Sequence, residues 1–71
     1  AKTLLQEWAQ AKGMPLPVYR VAASEGPAHA PLFTVEASVH EMKPATGQGP
    51  SKQVAEQTAA ETLMNRINEK P

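Results

Sequence analysis

From residue 47 the chain runs Gly47-Gln48-Gly49-Pro50-Ser51-Lys52-Gln53-Val54-Ala55-Glu56-Gln57-Thr58-Ala59-Ala60-Glu61-Thr62-Leu63, setting two glycines, a helix cap, a lysine and an alanine-rich face in one fixed order. Serine caps helices because its hydroxyl oxygen accepts a hydrogen bond from a first-turn N–H, so a helix is expected to start at Ser51. From Ser51 to about Asn68, the residues Ala55, Ala59, Ala60, Leu63 and Ile67 recur at helical spacing. Three alanines on that face are thin enough to let the helix lie close on a sheet. Its first-turn N–H groups and positive dipole end would point outward beside the Lys52 ammonium, an arrangement suited to holding phosphate.

The segments before this run complete a fold. Thr3 to Lys12 has helical period, with Leu4, Leu5, Trp8 and Ala11 expected in the core and Thr3, Gln6, Glu7 and Gln10 facing out. Gly13 fits a helix stop, and Pro15 and Pro17 prevent the helix from resuming. Val18 to Ala23 reads as a strand and Ser24 to Pro31 as a loop. Phe33, Val35, Ala37 and Val39 then alternate with Thr34, Glu36, Ser38 and His40, the period of a strand with one buried face. A third strand is expected over Glu41 to Thr46, confined to an edge or a bulge because Pro44 cannot donate to a ladder. The order α-β-β-β-α implies an α+β sandwich: a three-stranded antiparallel meander with two helices packed on one face.

Size and charge narrow the function. A chain of 71 residues is read as one small domain, able to bury only about 60% of the surface its unfolded form exposes. There is no cysteine, hence no disulfide framework and no thiolate metal site. No apolar run approaches the ~20 residues of a membrane span, and no basic-then-hydrophobic leader is visible, so a soluble, cytoplasmic chain with no membrane partner is expected. Seven basic and seven acidic residues balance, so a polyanion site would have to be local. The fold would have to gather Lys2, Lys12, Arg20, Lys43, Lys52, Arg66 and Lys70. The carboxylates are scattered singly, with no E-x-x-H, D-x-D or Ser/His/Asp arrangement, so neither catalysis nor a cofactor, metal or small-molecule ligand is expected in this chain.

Three motifs resemble one family. The run from Gly47 is similar to the G-x-G-x-S-K-K-x-A segment leading into the second helix of the double-stranded RNA-binding domain. Gly26-Pro27-Ala28-His29 matches its G-P-x-H loop between the first two strands, and Lys2-Thr3-Leu4-Leu5-Gln6-Glu7-Trp8 is similar to the K-T-x-L-Q-E-W start of that domain in bacterial ribonuclease III. Pro17-Val18-Tyr19 and Phe33-Thr34-Val35 also resemble the family's first and second strands, so the likeness covers nearly the whole chain in order. The resemblance implies a partner, double-stranded RNA. It assigns Thr3, Gln6, Glu7 and Gln10 to one minor groove, Pro27 and His29 to a second, and Ser51, Lys52 and Gln53 to phosphates across the intervening major groove. Taken singly these residues have plainer readings: a solvated helix face, a loop histidine, a cap. Trp8 and Phe33 lie on apolar faces and are read as core, with Tyr19, rather than as base-stacking platforms.

The resemblance also implies what is missing. Ribonuclease III carries its metal-binding carboxylates in a nuclease domain, and nothing like that domain's acidic helix occurs here. The chain is therefore expected to be a fragment cut at a domain boundary, the substrate-binding part of an endonuclease that processes RNA, including ribosomal RNA. In that parent enzyme magnesium and homodimerisation would belong to the missing nuclease domain. One departure stands out. Where the family has K-K-x-A-K, this chain has Lys52, Gln53 and Glu56, so one of three charges remains and weaker, less salt-dependent binding is expected. Arg66, Lys70 or Lys43 are candidates to compensate, and Glu56 near a phosphate would repel it mildly. A module of the same fold that binds protein or dimerises, with weak RNA affinity, is the alternative.

Overall fold

Glycine and alanine decide how this chain packs. The structure, a computed structural model, describes residues 2–40 and 42–68. Helix α1 (Lys2–Ala11) is followed by strands β1 (Val18–Glu25), β2 (Leu32–Ser38) and β3 (Ala45–Gly49), and by helix α2 (Lys52–Asn68). The strands form one antiparallel sheet in the order β1-β2-β3. This is the expected α-β-β-β-α meander.

Helix α2 lies across β2 and β3, and α1 packs against α2. The inner face of β3 is Ala45, Gly47 and Gly49, all buried, and it meets Ala55, Ala59 and Ala60 of α2, also buried. A Cβ built on Gly47 would stand 2.2 Å from the Ala59 nitrogen and 2.7 Å from the Ala55 carbonyl oxygen, so helix backbone rests directly on strand backbone there. At Gly49 the same atom would meet a Val54 methyl at 2.6 Å. With the interface built from small residues, the largest fully buried side chains are only Leu5, Leu63 and Val35. Trp8, Tyr19, Met14, Met42, Met64 and Ile67 close the core from its margins, half-buried.

Helix α1 ends as its glycine predicts. Gly13 takes φ +70°, its N–H donates to the Gln10 carbonyl at 3.0 Å, and the Met14 N–H donates to the Ala9 carbonyl at 3.0 Å. That pair of bonds is the Schellman closure. It turns Met14 back against the core.

Four expectations need correction. Leu4 is 59% exposed and Ala11 is exposed, whereas Ala9 is fully buried. The reason is that α1 buries a narrow stripe, Leu5 and Ala9 one turn apart, against α2; the Leu4–Ala11 flank faces away from that contact. Strand β1 runs to Glu25 rather than stopping at Ala23, because its pairing with β2 continues past an irregularity between Val21 and Ala23. The loop is correspondingly shorter, 26–31. The third strand lies at Ala45–Gly49 and not at Glu41–Thr46: Pro44 precedes it, and the glycines that looked like a helix approach form its inner face. Glu41, where that strand was expected to begin, lies outside the described residues.

Candidate nucleic-acid interface

The end of β3 delivers the chain to the start of α2. The Ser51 hydroxyl accepts from the Val54 N–H at 3.2 Å and the Ser51 carbonyl accepts from the Ala55 N–H at 3.0 Å, so Ser51 is the N-cap. Pro50, Ser51, Lys52 and Gln53 are all exposed. Lys52 makes no ion pair among the described residues. A solvated cation therefore stands beside first-turn N–H groups, an arrangement whose chemistry suits an anionic oxygen. Replacing Ser51 with alanine should cost about 1 kcal/mol, read as a fall of roughly 4–8 °C in Tm for a domain of this size.

Strand register fixes what lies next to this cap. Glu25 pairs with Leu32 across β1 and β2, and Phe33 pairs with Gly49 across β2 and β3. The 26–31 loop and the Ser51 cap therefore emerge at the same end of the sheet. Gly26 takes φ +88°, and a Cβ there would come within 2.8 Å of the Ala30 carbonyl oxygen, so the loop closes tightly only with glycine. The Ala30 N–H donates to the Pro27 carbonyl at 3.0 Å, making a turn that carries exposed His29 at its tip.

Thr3, Gln6, Glu7 and Gln10 are exposed together along α1, as their spacing requires. Lys2 joins this helix to the rest of the site. Its ammonium is 2.6 Å from Glu56 Oε1 and lies over the Tyr19 ring at 5.0 Å from the centroid. Tyr19 is half-buried against the core; loss of water pushes its phenol pKa up from the usual 10.0, with Lys2 opposing that rise and Glu56 adding to it. Lys2, Gln6, Leu16, Pro17 and Tyr19 line a small cleft between α1 and the start of β1.

The Lys2–Glu56 pair was not legible in the sequence: the partners are 54 residues apart and no local pattern marks them. It also corrects the reading of Glu56, whose carboxylate is held by a cation rather than left to repel phosphate. Of the three candidates to compensate, two stand away from the cap. Arg66 lies fourteen residues beyond Lys52 in α2, about 21 Å along the axis, and its guanidinium donates to the Lys43 carbonyl at 2.5 Å. Arg66 and Lys43 therefore sit together away from the cap, and Lys70 lies outside the described residues. On the outer face of the sheet Arg20 pairs with Glu36 at 3.0 Å, and Gln48 donates to Thr34 at 3.1 Å. That face spends its polar groups on itself.

Comparison with known proteins decides the family. The double-stranded RNA binding motif matches residues 1–67. This chain belongs to that family. The domain is 57% identical to Ribonuclease 3 of Caulobacter vibrioides over 65 residues, covering 92% of the chain and 28% of the relative. To Ribonuclease 3 of Anaplasma marginale it is 44% identical over 70 residues, covering 99% of the chain and 30% of the relative. The domain thus spans under a third of the length of these relatives. Among solved structures, the second dsRBD of DRB4 aligns with a TM-score of 0.71 at 37% identity, covering 97% of this chain and 96% of that one. The first dsRBD of HYL1 aligns with a TM-score of 0.76 at 33% identity, covering 94% of each. The protein-interaction alternative is not favoured by these matches.

Proposed function

We propose that this domain recognises double-stranded RNA by shape. A-form RNA hides its base edges in a deep major groove and displays 2′-hydroxyls in a wide minor groove, so a protein reads it at spaced points along one side. Thr3, Gln6, Glu7 and Gln10 would enter one minor groove and His29, with the loop backbone beside Pro27, a second. Ser51, Lys52 and Gln53 would hold phosphates between them. The observation that carries this reading is the pairing of Phe33 with Gly49, which brings the His29 loop and the Ser51 cap to the same end of the sheet. Competition of a short RNA duplex against a DNA duplex of the same sequence at low salt tests it. RNA is expected to win clearly; equal binding overturns the reading.

The relatives named Ribonuclease 3 extend the proposal to a parent protein. There this domain would anchor the duplex in the cytoplasm while a homodimeric nuclease domain, with magnesium, hydrolyses phosphodiesters during RNA processing. In this chain no group of three or more His, Asp or Glu side chains among the described residues is placed to hold a metal. Deleting the domain from the parent enzyme should therefore raise KM far more than it lowers kcat. A matching fall in both would place the domain in the chemistry instead.

A further inference from the structure

One side-chain ion pair bridges the two helices, and each of its partners stands one turn from a candidate RNA-contacting residue. Lys2 and Gln6 are one turn apart on α1 and line the same cleft, while Lys52 and Glu56 are one turn apart on α2. Between the turns stands the 2.6 Å contact of Lys2 with Glu56, the hydrogen-bonded ion pair that bridges the two helices. It is not a loose surface pair: the Lys2 and Glu56 side chains retain 40% and 26% of their exposure, and the Tyr19 ring backs the ammonium. Apart from this pair, α1 is held by the buried Leu5–Ala9 stripe with half-buried Trp8 against the core, apolar contacts that carry no directional bond to set its rotation about its own axis. A hydrogen-bonded pair at the first turn fixes that rotation.

We propose that Lys2 and Glu56 are positioning residues, which set the angle at which α1 presents Thr3, Gln6, Glu7 and Gln10 while α2 presents Lys52. This rests on the RNA-binding reading above and deepens it. Position 56 occupies the place of the third lysine in K-K-x-A-K, where a cation would add one phosphate contact. Here the carboxylate gives up that contact and holds the other recognition helix in register.

The two accounts of position 56 predict opposite signs for Glu56→Lys. If the site lacks only charge, the variant gains affinity and its salt dependence steepens by about one phosphate contact. If the pair positions α1, Lys2 and the new ammonium repel, and affinity for duplex RNA falls about three- to tenfold despite the added positive charge. Binding at several salt concentrations, with amide shifts of the labelled domain, separates these outcomes. RNA-induced shifts at Thr3, Gln6, Glu7 and Gln10 should shrink in Glu56→Lys, while those at Gly26–His29 and Ser51 persist. The exchanged double variant, Lys2→Glu with Glu56→Lys, has the same net charge as the parent and should recover most of the affinity and the α1 shifts; Glu56→Gln, which still accepts from Lys2, should be intermediate. Tighter binding by Glu56→Lys with α1 shifts intact, or no recovery on exchange, overturns the proposal. Spectra of the free variants keep the two readings apart. If the parent domain ignores RNA, the functional reading fails, and unchanged α1 amide shifts in free Glu56→Lys would separately sink the positioning role.

Discussion

Gly47→Ala is expected to leave the domain largely unfolded at room temperature. The new methyl would have to occupy space 2.2 Å from the Ala59 nitrogen, 2.6 Å from the Thr58 carbonyl carbon and 2.7 Å from the Ala55 carbonyl oxygen. All three are helix backbone, so no side chain can swing aside; α2 as a whole must lift from β3. That would open the Ala45, Ala59, Ala60 and Leu63 core along its length. A domain of 71 residues has about 4–10 kcal/mol of stability, and a clash of this kind belongs to the rare substitutions that cost more than about 4 kcal/mol. Gly13→Ala supplies the control. Nothing lies within 4 Å of a Cβ at Gly13, so only the φ of +70° is penalised, at about 1–2 kcal/mol. Urea unfolding followed by circular dichroism should show a lowered but cooperative transition for Gly13→Ala and little folded baseline for Gly47→Ala. Similar midpoints for the two would mean that α2 does not lie flush on the strand.

Lys52→Ala should weaken binding to RNA and DNA duplexes alike, by about tenfold near 0.1 M salt. Lys52 is exposed and unpaired among the described residues, Lys2 and Arg20 are held in ion pairs, and Arg66 lies far along α2 from the cap. Neutralising one phosphate releases about 0.9 of a counterion, so removing that contact should flatten the slope of log affinity against log salt by roughly one. His29→Ala should behave differently. On the proposed reading an imidazole at the tip of the loop would act through groove contacts, so its loss should erode the preference for RNA over DNA and leave the salt slope nearly unchanged. Parallel losses on both duplexes for both variants would refute this division of labour. Gln53→Lys is the complementary gain and should steepen the slope by a similar amount.

Local chemistry explains which parts of the structure could be read from sequence. The Ser51 cap, the Gly13 stop and the alternation along Phe33–Val39 each depend on neighbours within a few residues, and each stands where the pattern placed it. The third strand was displaced because Gly47-Gln48-Gly49 has almost no strand propensity of its own. Its glycines are selected by the helix lying on them, a contact twelve residues away in sequence at Ala59. The same distance effect hid the burial of Ala9, which is chosen by α2, and the exposure of Leu4. Of the interface, the exposure of Thr3, Gln6, Glu7, Gln10, His29 and Lys52 was legible from period and turn chemistry. The pairing of Glu56 with Lys2 was not, since charge partners across a fold leave no local trace.

The most direct test of three-point recognition is a titration of the isotope-labelled domain with a short RNA duplex at low salt, read amide by amide and repeated with a DNA duplex. Thr3, Gln6, Glu7 and Gln10 on α1, the Gly26–His29 loop, and Ser51 with Lys52 at the start of α2 should all shift with RNA, and the first two groups should shift far less with DNA. A folded domain whose perturbations are confined to the Ser51–Lys52 cap, or are the same for both duplexes, would contradict it.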